Sequence, residues 1–174
     1  MTTPTRAGRL AGLAASARTL AVWALLGYAA LIILFAFFDW LVPSDPSGFS
    51  ARSAGADFVN VATMAAPVLA VLLAAYVSPV LPFTRLAAAI ALVEYAAVLV
   101  FGALALLAGI PAVFNLPEGG YAVGGALDAL GYLLIGLAEL AVVSVAALAV
   151  WRIFTDFGGQ LPGRRAAAAP PPAG

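Results

Sequence analysis

Histidine, cysteine and lysine are all absent from this chain of 174 residues. Without cysteine there is no disulfide, no thiolate nucleophile and no thiolate metal ligand; without histidine the commonest general base and metal ligand is gone as well. Charge is scarce too. Eight acids and eight arginines make up 9% of the chain, where a soluble domain carries about a quarter. A few dispersed carboxylates supply neither a metal site of adequate ligand count nor a nucleophile with its base, so no enzyme, metal or cofactor is expected. The charges cancel to zero, which leaves no net field to attract nucleic acid.

What the chain has in excess is oil. Hydrophobic residues make up 64% of it, and its mean hydropathy is +1.08. The useful measure is then the number of apolar runs of about 20 residues, each long enough to cross a bilayer. The pattern predicts four such spans, over about 19–42, 58–80, 85–110 and 126–153. Residues 1–18 read as a short basic segment, 43–57 and 111–125 as Pro/Gly-rich loops, and 154–174 as a disordered tail with no apolar period and a proline run. The first run is longer than the 7–15 residues of a signal-peptide core and has no small-residue cleavage site after it, which predicts that it is retained as a helix.

Seven arginines (Arg6, Arg9, Arg18, Arg85, Arg152, Arg164, Arg165) precede the first span, occupy the "PFTR" turn or follow the fourth span, and only Arg52 falls in a long loop. The positive-inside rule then predicts cytoplasmic N- and C-termini in a plasma membrane. Arginine without lysine, with heavy use of Ala, Gly and Pro, fits a G+C-rich bacterial genome. The expected fold class is all-α: a four-transmembrane-helix bundle, up-down-up-down, with residues 19–153 forming the membrane domain.

Against this background the intramembrane acids stand out. "AIALVEYAAVLV" places Glu94 about nine residues into the third span, and Glu139 lies near the middle of the fourth. A charge at such depth costs about 2.5–3.5 kcal/mol, and no basic residue lies in the spans beside them, so both are expected to be neutral unless a cation or a partner is present. At 100° per residue, Asp128, Tyr132, Ile135 and Glu139 form one polar stripe on the fourth span. Asn60, Thr63, Pro67 and Ser78 share a face of the second. Ala87, Ala91 and Ala105 flank Glu94 and would let another helix approach closely.

Three roles fit these side chains: neutral hydrogen-bond donors that fix helix register, a pairing site for a residue of another membrane subunit, or a proton or cation path from Asp128 through Glu139 to Glu94. The expected function is that of a small non-enzymatic accessory or scaffold subunit, working through helix contacts with a membrane-protein partner or in a homo-oligomer within the lipid bilayer. The alternative is a small proton- or cation-coupled transporter using Glu94, Asp128, Tyr132, Glu139 and Asn60.

Overall fold

The computed structural model describes residues 6–42, 48–78, 80–114 and 122–158, and the readings made of 1–5, 43–47, 115–121 and 159–174 lie outside them. The described residues form five helices in order: α1 (Arg6–Leu41), α2 (Phe49–Ala54), α3 (Val61–Ala75), α4 (Thr84–Phe114) and α5 (Ala122–Asp156). Among the described residues there is no strand. Three helical stretches of the described residues are long and apolar enough to cross a membrane, Ala15–Leu41, Thr84–Phe114 and Ala126–Asp156.

The second apolar run behaves differently from its expected 58–80 span. α3 has 15 residues, roughly 22 Å at 1.5 Å per residue, which is short of the about 30 Å hydrocarbon layer. It begins late because Asn60 stops it: the Asn60 side chain accepts from Ala62 N and Thr63 N at 3.0 Å each, and Thr63 Oγ1 accepts from Asn60 N at 3.0 Å. This reciprocal pair satisfies the first N–H groups of the helix. α3 ends early because the chain turns back at once. Leu81 N–H and Thr84 Oγ1–H both donate to the Ala74 carbonyl, at 3.2 and 3.0 Å, closing the turn into α4.

Two further boundaries differ from the sequence expectation. α4 runs through Pro111 to Phe114, since one proline removes a single helical hydrogen bond without forbidding the turn after it. The segment read as an exposed loop contains α2, which lies on α4. Aromatic contacts hold it down. The Trp40 ring at the end of α1 packs on Phe49, Phe58 and Phe101 with centroids 5.3, 5.7 and 6.5 Å apart. Its indole N–H donates to Ser53 Oγ at 2.8 Å, and Ser53 in turn donates to the Phe49 carbonyl at 2.8 Å. Trp40 is thus a latch on the loop.

α3 and α4 form the centre of the molecule, each packed against both α1 and α5; among the described residues no close backbone approach joins α1 to α5. The core is built from small and β-branched residues: Ala87, Ala88, Ala91 and Val98 of α4, Ala70, Val71 and Ala74 of α3, Val22 and Leu26 of α1, Val143 and Val150 of α5. Small side chains let backbones approach, so dispersion contacts replace the hydrophobic drive that lipid does not supply. Within that core the Tyr95 hydroxyl donates to the Met64 carbonyl at 2.7 Å, one residue along from the Thr63 carbonyl that Pro67 leaves without its helical donor.

Candidate functional site

Where α3 stops short, the Ser53–Val59 loop takes its place beside α4 and α5, and a cavity of about 320 Å³ opens between the three. Glycines set its walls. A Cβ at Gly109 would collide with the Tyr132 hydroxyl and lie 2.9 Å from Ala54 Cα and N, so α2 reaches α4 only because residue 109 has no side chain. A Cβ at Gly136 would meet Leu106 Cδ1 at 2.5 Å, and one at Gly102 would meet Leu140 and Val59 at 3.2 Å. These contacts pair α4 with α5 from Gly102–Leu140 at one end to Gly109–Tyr132 at the other.

Of the residues singled out from sequence, Tyr132 and Glu139 line this cavity, together with Ile135 of the same stripe and Ala105 of α4. The Tyr132 hydroxyl donates to the Leu106 carbonyl at 3.3 Å, with the Ala105 carbonyl at 3.5 Å. Glu139, half-buried, has no hydrogen bond or ion pair among the described residues. Its distance along α5 from Arg152 corresponds to about 20 Å of helix, so the carboxyl lies well inside the hydrocarbon layer if Arg152 marks one face.

Asn60 enters indirectly. As the cap of α3 it does not line the cavity, but its Nδ2 donates to Asp57 Oδ2 and to the Asp57 carbonyl, both at 3.3 Å, and Asp57 does line it. Asp128 stands apart, exposed and outside the lining, so the stripe on α5 reaches the cavity only from Tyr132 inward. Glu94 stands apart in the other direction. It is 6% exposed, is not among the lining residues, and neither carboxyl oxygen has a hydrogen-bond partner among the described residues. The two acids read together as one path therefore sit in different environments, one open to a cavity and one sealed.

Sequence reasoning missed Asp57, Ser53 and the Trp40 latch, all of which depend on a loop folding back on the helices. The available signal was Phe49 and Phe58, two large aromatic residues bracketing a stretch otherwise rich in Ser, Gly and Ala. Among the described residues no three acidic side chains gather closely enough to hold a metal ion. No protein-family model, curated protein or solved structure matches this chain.

Proposed function

We propose that this chain is a four-span protein of a bacterial plasma membrane, arranged up-down-up-down with both termini cytoplasmic, and that it works without catalysis as an accessory subunit through helix contacts. In this arrangement α3 and the loop before it together complete the second crossing. The pairings that support alternation are Arg18 with Val77, Thr84 with Ala74, and Gly102 with Leu140. The seven-to-one distribution of arginines supports the orientation.

The observation that carries the accessory role is α5. It is held along one flank by α3 and α4 and, among the described residues, has no close backbone approach to α1, while Leu127, Leu130, Leu134, Leu137, Val145 and Leu148 form an exposed stripe. At 100° per residue that stripe lies opposite the buried Val143 and Val150. Its three- and four-residue spacing from Leu127 to Leu137, taken up again at Val145 and Leu148, is the seam that a second helix would pack against. Extraction in mild detergent followed by native mass spectrometry tests the proposal: a stoichiometric membrane partner is expected, and a clean monomer would refute it.

A second reading, a proton- or cation-coupled transporter, is favoured by the position of Glu139 in the cavity without a partner of its own. It requires flux in proteoliposomes that Glu139→Gln abolishes without loss of folding. Absence of flux in the wild type would remove it.

A further inference from the structure

We infer that the cavity beneath the Ser53–Val59 loop binds an ammonium group carried on a small, largely apolar body. This goes beyond the accessory role and stands whether or not a partner helix packs on α5. The volume, about 320 Å³, falls at the lower end of the roughly 300–1,000 Å³ typical of small-molecule sites. The walls are fixed rather than fluid, because Gly109 and Gly136 admit no side chain without displacing their neighbours and the Trp40–Ser53 hydrogen bond ties the loop to α1.

The chemistry of the occupant follows from which side-chain hydrogens are already spent. Ser53 Oγ–H donates to the Phe49 carbonyl and Tyr132 O–H to the Leu106 carbonyl, so neither hydroxyl has a proton to offer the cavity. What remains are acceptors: the Asp57 carboxylate, which receives Asn60 Nδ2 on one oxygen, and the Glu139 carboxyl, which receives nothing among the described residues. An occupant that pairs with both acidic side chains brings donors and positive charge, and an ammonium brings both. Leu106, Ile135 and Leu140 supply an apolar surface for its body. With two carboxyl side chains in the lining, and no acidic trio among the described residues, the set suits an organic cation better than calcium or magnesium, which take six or more oxygen ligands. Two sources present this chemistry at a membrane surface, a free small amine and the headgroup of an aminophospholipid.

The test uses the full chain carrying Trp23→Phe and Trp151→Phe, so that Trp40, bonded to the cavity wall through Ser53, is the sole reporter. In nanodiscs of phosphatidylglycerol, which has no amine, 2-phenylethylammonium should change Trp40 emission saturably, and the neutral isostere 2-phenylethanol should not. Glu139→Gln should weaken the response about tenfold or more, the loss of one charge-assisted hydrogen bond, at an unchanged melting temperature. Should that variant not fold, Asp57→Asn, at an exposed position, serves as the same test. Nanodiscs of phosphatidylethanolamine separate the sources: a titration displaced to higher amine concentration marks the headgroup as occupant, and an undisplaced one marks a free amine. An absent or unsaturable response, an equal response to the alcohol, or wild-type affinity in the folded carboxamide variant overturns the inference.

Discussion

Gly109→Ala is the sharpest test of the packing that builds the cavity. In a helix interior alanine is favoured over glycine by about 1 kcal/mol, so with nothing in the way the change would stabilise α4. Something is in the way. The new Cβ would lie 2.9 Å from Ala54 Cα and N, against about 3.5–4.0 Å for relaxed contact, and the obstacle is backbone that cannot rotate aside. α2 must retreat by roughly 1 Å, at an overpacking cost of about 1–3 kcal/mol. The Tyr132 hydroxyl must move as well, which puts its bond to the Leu106 carbonyl at risk and adds about 0.5–1.5 kcal/mol. The expected net effect is a destabilisation of about 1–3 kcal/mol, accompanied by a red shift of Trp40 emission as the latch loosens. Gly131→Ala on α5 is the control, because a Cβ there meets nothing within 4 Å, and it should gain up to about 1 kcal/mol. Gly136→Ala should fall between the two, its obstacle being the end of the Leu106 side chain. Unfolding in mixed micelles of rising dodecyl sulfate content, followed by far-UV circular dichroism, ranks the three. Equal stability of Gly109→Ala and Gly131→Ala would refute the close approach of α2 to α4.

Asn60→Ala removes the cap of α3 and the donor to Asp57; a loss of about 0.5–2 kcal/mol is expected, with faster hydrogen exchange at the amides of Ala62 and Thr63. Tyr95→Phe deletes the bond to the Met64 carbonyl and should cost about 0.6–1.5 kcal/mol, read in the same micelle titration. Glu94→Leu replaces a buried group with no hydrogen-bond partner among the described residues, and should raise stability by about 1–3 kcal/mol, while Glu94→Gln leaves it nearly unchanged.

The three long helices were legible from run length alone, because a stretch of about 20 apolar residues has few other uses. The second run was not, for a physical reason. Hydropathy does not distinguish a residue hidden by protein from one hidden by lipid. Phe58 reads as the start of a span, yet it is 1% exposed because Trp40 and Phe101 cover it while it sits in a loop. Tyr132 and Glu139 were recoverable because a helix repeats every 3.6 residues and puts them on one stripe. Asp57 was not, since a loop has no period and its position follows from aromatic contacts made far away in sequence. Asn60 was recognised as polar, but its role as a cap rests on its spacing to Thr63, a local signal that a membrane-span reading overrides.

The separation of Glu94 from Glu139 decides how the two functional readings are weighed. A proton relay needs its acids linked by hydrogen-bonding groups or water, whereas Glu94 is buried on the face of α4 that also carries the buried Ala87, Ala91 and Val98, and does not line the cavity that holds Glu139. Along their helices the two acids differ in depth by about 6 Å as counted from Arg85 and Arg152. Glu139 alone, by contrast, already has a cavity and unspent acceptor oxygens, which suffice to bind a cation from one side without passing it on. A buried acid that makes no bond lowers stability without helping to bind anything in the cavity, which directs the test of Glu94 to a second state or a second chain. If Glu94→Leu stabilises the isolated protein yet abolishes recovery of the partner, Glu94 belongs to assembly; if it stabilises and leaves assembly intact while flux is lost, the relay gains the residue it lacks in this conformation.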